Sequence, residues 1–157
     1  MSALVLRAPR AEERSALLDL WVASWRTTFP AIDFDARRGW LIAHLERLEQ
    51  AGAAIVAAFA GARPEGFVVV DPAGRIDQIV VAPHAQGRGV AQRLMGEARR
   101  IAPDRLELDV NADNPRALRF YDREGFQKIG EGRNPNSGLP TFKLVWTPSR
   151  PSRSQPG

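Results

Sequence analysis

The chain has 157 residues, a net charge of +4 and no cysteine. A chain of this length suits one core, because it buries about two thirds of the surface that its unfolded form exposes. The lack of cysteine excludes disulfides, thiolate metal ligands and a cysteine nucleophile, and no apolar run approaches the roughly 20 residues that cross a bilayer. The basic residues form no block of like charges, so the net charge alone does not indicate a nucleic-acid tail.

The two ends of the chain set the expected boundaries. No apolar segment with a small-residue cleavage site follows Met1, so we expect a cytoplasmic protein. The last residues are rich in Pro, Ser and Arg, a composition that does not bury enough apolar surface to stay ordered. We therefore expect one domain over residues 1–147, a disordered tail at 148–157, and either a monomer or a homodimer.

The first half of the chain predicts a strand, two helices and two strands. In chain order these are a strand at 4–7, helices at about 17–26 and 35–50, and strands at 54–59 and 66–70. The helices follow from apolar residues at helical spacing. Gly61-Ala62-Arg63-Pro64 has turn composition and joins the last two strands as a hairpin.

The second half alternates strands and helices. In chain order these are a strand at 76–81, a helix from near 89 to before 103, a strand at 106–110, a helix from 115, and strands at 126 and 141–146. Asn114 is a favoured N-cap, Pro115 fits the first helical position, and Gly125 is a left-handed stop. This order predicts an α+β fold, a mixed, mostly antiparallel sheet of six to seven strands flanked by about four helices.

A glycine-bearing loop, Gln86-Gly87-Arg88-Gly89-Val90-Ala91, lies between a predicted strand and a predicted helix. Glycines let backbone N–H groups approach a ligand, and a helix N-terminus favours negative charge, so the loop is suited to an anion. An ordinary tight turn is the alternative interpretation. The loop lacks the Gly-Lys-Ser/Thr of a P-loop and the Gly-x-Gly-x-x-Gly of a dinucleotide site.

Two stretches together resemble the GNAT acetyltransferase superfamily. Val81-Ala82-Pro83 and Gln86 to Ala91 are similar to the end of the family's cofactor strand and to its Gln/Arg-x-x-Gly-x-Gly/Ala pyrophosphate loop. Asn114-Pro115-Arg116-Ala117-Leu118-Arg119-Phe120-Tyr121, followed by Gly125-Phe126, resembles the family's Asn-x-x-Ala-x-x-Phe-Tyr and Gly-Phe signature. The resemblance implies the GNAT fold. It also implies an N-acetyltransferase that moves an acetyl group directly from acetyl-CoA to an amine of a small molecule, a protein N-terminus or a lysine, in a ternary complex.

The resemblance also implies which residues bind acetyl-CoA, the co-substrate. The pantetheine arm would lie along Ile79, Val80 and Val81 as an added strand, and a backbone N–H of Val80 or Val81 would polarise the thioester carbonyl. The pyrophosphate would meet the loop residues Gln86, Gly87, Arg88, Gly89, Val90, Ala91 and Gln92. Asn114 would hold the pantetheine, although a plain N-cap is an equal alternative.

Tyr121 resembles the family's general acid, which protonates the departing thiolate. A thiol has a pKa near 8.5 and a phenol near 10, so a phenol can stabilise the developing thiolate without being a strong acid. The alternative role is a core tyrosine with a satisfied hydroxyl.

The amine must lose a proton, and Asp77 is the first candidate for the base, because it lies on the predicted cofactor strand and burial raises a carboxyl pKa. A salt bridge to Arg75 or Arg105 is the alternative. His84 is expected to be a solvated loop residue and His44 a helix residue that faces its neighbours, so neither is favoured. Two separated histidines indicate no metal site.

Aromatic residues near the first helix are candidates for the acceptor wall that the resemblance implies. Trp25 and Phe29 lie where the helix opens into a loop, so we expect them to bind substrate. Trp21 and Trp40 are expected to pack in the core.

Two other classes of function remain as alternatives. A non-catalytic acyl-CoA-binding module would keep the loop and Asn114, but it would not need Tyr121. A nucleic-acid-binding protein would explain the basic charge, but the aromatics do not alternate with basic residues on one sheet face. The expected partners are therefore acetyl-CoA and an amine, with no nucleic acid, no membrane and no metal.

Overall fold

The structure, a computed structural model, describes residues 4–28, 31, 33–135 and 137–148. The predicted tail at 148–157 lies outside the described residues except for Pro148. The chain divides into two compact units, Met1–Ile101 and Ala102–Gly157. Each unit has a sheet of its own.

The first unit is a four-stranded antiparallel sheet with three α-helices. Its strands are β1 (Leu4–Arg7), β2 (Ala54–Ala60), β3 (Arg63–Val70) and β4 (Ile76–Val81), paired in that order. Its helices are α1 (Arg14–Thr28), α2 (Phe34–Gln50) and α3 (Val90–Ile101), with short 3-10 helices at Ala11–Glu13 and Pro83–Ala85. Helices α1 and α3 both pack on β3 and β4.

The central strands of this sheet are buried along most of their length. Residues 55–59 of β2 and 65–70 of β3 are all buried. An added Cβ at Gly66 in β3 would lie 2.6 Å from the carbonyl oxygen of Val80 and 3.1 Å from Leu94 of α3. Only glycine therefore allows α3 to pack this closely on the sheet.

Local signals set the ends of several elements. Asp33 caps α2, because its side chain accepts a hydrogen bond from the backbone N–H of Ala36 at 3.1 Å. Ala60 pairs with Arg63, so the turn of the β2–β3 hairpin is the two residues Gly61 and Ala62, with Gly61 at φ 63°. The strand β3 consequently begins at Arg63, three residues before its predicted start.

The second unit is a three-stranded antiparallel sheet with one α-helix. Its strands are β5 (Leu106–Asn111), β6 (Gln127–Arg133) and β7 (Pro140–Trp146), in the order β5-β7-β6, and its helix is α4 (Pro115–Arg123). Buried and more exposed residues alternate along β5, as the pattern predicts. Gly125 has φ 94° and follows the end of α4, which confirms the predicted left-handed stop.

The predicted α+β class is confirmed, with seven strands and four α-helices among the described residues. The strands form two sheets, and every pairing among the described strands is antiparallel, whereas a mixed sheet was expected. The reason in the first unit is that β2, β3 and β4 follow one another through short turns, which join only antiparallel neighbours.

None of the helices in the described part of the chain has the length and apolar character needed to cross a bilayer.

Candidate active site

The strand β4 carries the three residues predicted to pair with pantetheine. It is an edge strand of its sheet. Ile79, Val80 and Val81 pair with β3 along one side of β4, and the other side of β4 has no partner among the described strands of this sheet. Val80 is buried, and Ile79 and Val81 are half-buried. An edge strand presents backbone N–H and C=O groups to an extended ligand. This arrangement fits the predicted pantetheine strand, which stays a prediction.

The glycine loop leads from β4 into α3. Gly87 and Gly89 have φ values of 81° and 83°, in the left-handed region that favours glycine. The N–H of Arg93 donates to the carbonyl of Gly89 at 3.1 Å, which makes Gly89 the residue that caps α3. The N–H groups of 90–92 therefore have no partner within the helix. Together with the positive end of the helix dipole, they are suited to an anion.

The surroundings of the loop leave room for a ligand. An added Cβ at Gly87 would meet nothing within 4 Å, and one at Gly89 would have Gln92 Oε1 as its nearest neighbour, at 3.6 Å. Arg88 and Arg93 are exposed, and guanidinium groups form strong hydrogen bonds with phosphate oxygens. The residues present therefore fit the diphosphate of acetyl-CoA.

A buried carboxylate holds the segment that enters this loop. Glu65 in β3 is 5% exposed, and it accepts a hydrogen bond from Arg63 Nε at 2.7 Å. His84 Nε2 lies 3.1 and 3.2 Å from the two carboxylate oxygens. Burial would raise the pKa of Glu65, but the hydrogen bonds with His84 and Arg63 outweigh it and lower that pKa. The backbone carbonyl of Glu65 also accepts from the N–H of Ala82 at 2.8 Å. His84 is exposed, as expected, and its contact with Glu65 also links the segment before the loop to β3.

Asp77, the predicted base, lies at an irregularity of β4. Val69 of β3 pairs with Gln78, whereas Val70 pairs with Ile76. Asp77 is thus the extra residue of a bulge, and a bulge changes the direction in which a side chain points.

The partner of the Asp77 carboxylate is a histidine. Its Oδ2 lies 2.8 Å from Nε2 of His44, which α2 supplies. Arg105, one of the two arginines considered as partners, pairs with Glu107 at 2.9 Å. The His44 ring stacks on Trp40 with 4.6 Å between ring centroids and 14° between planes. His44 faces its helix neighbour Trp40, as expected, and it also reaches the strand that carries Asp77.

The aromatic candidates on and after α1 have different surroundings. Trp21 is buried, as predicted, and its indole Nε1 donates to Gln78 Oε1 at 3.2 Å. Trp25 is half-buried, and Phe29 lies outside the described residues. Trp40, which was expected in the core, is half-buried, and its ring stacks on that of His44. Substrate binding by Trp25 and Phe29 stays a prediction.

The second unit holds the other two predicted site residues. Asn114 caps α4, because its Oδ1 accepts from the N–H of Ala117 at 3.2 Å; the NH₂ group of Asn114 can still donate to a ligand. Tyr121 is 8% exposed, and its ring contacts Phe120 and Phe126 edge-on at centroid distances of 5.3 and 5.5 Å. Burial raises the pKa of the Tyr121 hydroxyl, which therefore stays protonated at neutral pH. Its role as general acid stays a prediction.

The sequence patterns did not single out Gln78 or Glu65 and did not favour His44, and the structure ties all three side chains to the predicted site. Gln78 and His44 contact Asp77, and Glu65 anchors the loop entry. The helical spacing of Trp40 and His44 was a signal that they share a face of α2, but no local pattern indicates their contact with β4. In the part of the chain that the structure describes, no group of three or more acidic or histidine side chains is placed to hold a metal ion.

Comparison with known proteins gives concordant matches. The model of the acetyltransferase (GNAT) family matches residues 11–126. The peptidyl-lysine N-acetyltransferase YjaB of Salmonella typhimurium is 27% identical over 135 residues, which cover 86% of this chain and 91% of that protein. The peptidyl-lysine N-acetyltransferase YiaC of Escherichia coli is 27% identical over 156 residues, with 90% and 96% covered. The crystal structure of PaiA N-acetyltransferase from Thermoplasma acidophilum in complex with coenzyme A superposes with a TM-score of 0.74 at 17% identity, covering 92% of this chain and 99% of that chain, and so shares the fold.

The family match extends over most of the chain and includes the loop and the signature that carried the resemblance. The resemblance is therefore confirmed, together with the GNAT fold. The chain belongs to the acetyltransferase (GNAT) family and is an acyl-CoA-dependent N-acetyltransferase.

Proposed function

We propose that the protein transfers the acetyl group of acetyl-CoA directly to an amine, and that a lysine side chain in a peptide is the acceptor. The loop after β4, with its two left-handed glycines and the open N-terminus of α3, is the observation that supports acetyl-CoA as the co-substrate. The acceptor class is supported by YjaB and YiaC, which are both named for peptidyl-lysine. Residues 1–147 form the proposed catalytic domain, since the family match runs across both compact units.

Acetyl-CoA supplies an acetyl group that its thioester has already activated. In our proposal the chain binds and orients it through backbone groups. The N–H groups of 87–92 donate to the diphosphate oxygens, and Arg88 and Arg93 add positive charge. The edge of β4 at 79–81 pairs with the pantetheine arm, and an N–H of Val80 or Val81 polarises the thioester carbonyl. The NH₂ group of Asn114 donates to the pantetheine.

Two proton movements accompany the transfer. The acceptor amine loses a proton, and the carboxylate of Asp77 assists the removal of this proton. The Tyr121 hydroxyl donates toward the sulfur as the carbon–sulfur bond breaks. Because burial raises the pKa of Tyr121, a strong hydrogen bond to the developing thiolate is more favourable than complete proton transfer to it. Direct transfer also agrees with a chain that has no cysteine to carry an acyl group.

A panel of amines tests the proposal by thiol release from acetyl-CoA. The panel contains a peptide with a blocked N-terminus and one lysine, the same peptide with acetyl-lysine as its matched control, a lysine-free peptide with a free N-terminus, and a polyamine. We expect thiol release with the lysine peptide and acetylation of its ε-nitrogen in the mass spectrum. No release is expected with the acetyl-lysine control.

The other outcomes, from the panel or from calorimetry with acetyl-CoA, contradict different parts of the proposal. Acetylation of the free N-terminus or the polyamine alone would contradict lysine as the acceptor and leave the transfer to an amine standing. Calorimetric binding of acetyl-CoA without turnover of any amine would indicate a non-catalytic acyl-CoA-binding module. An absence of binding would contradict the assignment of the loop.

A further inference from the structure

A titratable pair joins Asp77 of β4 to His44 of α2, and Asp77 precedes the β4 residues assigned to pantetheine. Asp77 Oδ2 and His44 Nε2 are 2.8 Å apart, and the two side chains are 19% and 21% exposed. The pair is thus sheltered but still open to solvent. Asp77 precedes Val80 by three residues on the same strand, which is about 10 Å of extended chain.

Hydrogen-bond chemistry determines which nitrogen of His44 carries the proton. An ionised carboxylate only accepts hydrogen bonds, so the 2.8 Å contact requires Nε2 of His44 to donate to Asp77. In the neutral ring, Nδ1 then carries the lone pair. Arg47 also contacts this ring, with Nη2 3.5 Å from Nδ1, the outer limit of a hydrogen bond. Arg47 is exposed, so an incoming amine can take its place at Nδ1.

Neighbouring side chains fix the Asp77 carboxylate from a second side. The indole N–H of Trp21 can only donate, so Gln78 turns its Oε1 toward Trp21, at 3.2 Å. The NH₂ group of Gln78 then faces Asp77, with 3.4 Å between Nε2 and Oδ2. Trp40 stacks on the imidazole and sets its plane. Each contact from Trp21 through Gln78 and Asp77 to His44 therefore joins one donor to one acceptor.

We infer that His44 is the base that takes the proton from the acceptor amine, and that Asp77 is a positioning residue that acts through it. This inference rests on the proposed transfer to an amine. An imidazole exchanges protons near neutral pH, which is what a general base requires. Asp77 holds the ring in the tautomer with a lone pair on Nδ1, and its negative charge stabilises the imidazolium that forms.

The step balances without a further reactant. As the neutral amine nitrogen forms its bond to the acetyl carbon, one of its two protons passes to Nδ1 of His44. The electrons of the carbon–sulfur bond leave with the sulfur, which is stabilised by the hydroxyl of Tyr121 and then takes up a proton from water. The imidazolium returns its proton to water, which regenerates the neutral ring. The products are an amide and a thiol.

Three variants separate His44 from Asp77 in the rate of amine acetylation. We expect His44→Gln to lower kcat about 100-fold or more with little change in the KM for acetyl-CoA. Asp77→Asn keeps His44 but loses the acceptor that fixes its tautomer, so its loss of kcat should be smaller. His44→Ala should regain rate when imidazole is added, which a purely structural role would not allow. Glu46→Gln is the matched control, because Glu46 is an exposed carboxylate on the same helix.

The imidazole ¹⁵N spectrum gives a readout that does not depend on turnover. The chain has two histidines, so His44→Gln identifies the His44 signals by removing them. We expect the neutral His44 ring of the wild type to carry its proton on Nε2, and Asp77→Asn to weaken that preference. Because this spectrum needs no acceptor, it is informative even if no amine in the panel is acetylated.

Failure of the inference and failure of the proposed function give different results. A wild type that acetylates no amine contradicts the proposed function. A wild type that acetylates amines while His44→Gln keeps its full rate overturns His44 as the base. A larger loss in Asp77→Asn than in His44→Gln would return that role to Asp77, and a proton on Nδ1 of the neutral ring would also overturn the inference.

Discussion

At the scale of single residues, the environment of Tyr121 limits what its hydroxyl can do. The ring is held between Phe120 and Phe126, so a phenylalanine in its place would pack almost identically. Burial raises the pKa of the hydroxyl, and the protonated form is the one that donates to a leaving sulfur. The hydroxyl should therefore remain a donor at neutral and moderately alkaline pH.

Replacing Tyr121 with phenylalanine removes only this donor. We expect kcat to fall about 100-fold, with the KM for acetyl-CoA almost unchanged, because the lost interaction forms in the transition state. A thioester whose thiol is more acidic should recover part of the rate, since its sulfur needs less stabilisation. Because the pKa of Tyr121 is raised, the wild-type rate should show no loss from its ionisation at or below about pH 10. Equal rates for the two proteins, with chemistry limiting, would remove Tyr121 from the mechanism.

At the scale of secondary-structure elements, the start of α3 shows how one turn can be both a cap and a binding surface. Gly89 accepts the first hydrogen bond of α3 with its carbonyl while its φ of 83° directs the preceding chain away from the helix. A side chain in this conformation costs about 1–2 kcal/mol. Gly96 lies later on the same helix, where an added Cβ meets nothing within 4 Å.

These two glycines give a matched test of the loop. Gly89→Glu places a negative charge at the N-terminus of α3, so we expect calorimetry to show no binding of acetyl-CoA. Gly96→Glu adds the same charge to the same helix at an open position and should bind as the wild type does. Gly89→Ala introduces the strain without the charge and should retain weak binding. Wild-type affinity in Gly89→Glu would mean that the loop is only a turn.

At the scale of the whole molecule, the ionisation of one buried carboxylate connects stability with pH. The sheet of the first unit buries Glu65 beside an exposed arginine and an exposed histidine, Arg63 and His84. Their hydrogen bonds lower the pKa of Glu65 despite its burial. A lowered folded-state pKa adds stability above the ordinary glutamate value of about 4.3, and that stability is lost as pH falls through the lowered pKa.

Urea unfolding of Glu65→Gln measures this contribution. At pH 7 we expect the variant to be less stable than the wild type by about 2 kcal/mol, since hydrogen bonds to a charged group are lost. The difference should shrink below about pH 4 as the wild-type carboxylate takes up its proton. Glu46→Gln, at an exposed site on α2, should show little difference at any pH. A difference that grows as pH falls below about 4 would contradict the assigned pKa direction.

The sequence by itself determined the features that depend on near neighbours in the chain. Asn114 and Pro115 start α4, Gly125 ends the turn after it, and β4 has the predicted bounds of Ile76–Val81. Caps, left-handed glycines and runs of apolar residues act within a few residues, so their effect can be predicted locally. The motifs at 81–91 and 114–126 likewise indicated the family.

Only the tertiary structure decided which side chains meet across elements. His44 and Asp77 are 33 residues apart in the chain, and their contact depends on how α2 packs and on the bulge that turns Asp77 out of the β4 register. The bulge follows from the pairing of β4 with β3, which no pattern within β4 records. Glu65 lies just before the predicted strand at 66–70, yet it belongs to β3 and is buried beside His84. Such contacts depend on register and helix packing, which the whole chain sets together, so local sequence patterns do not specify them.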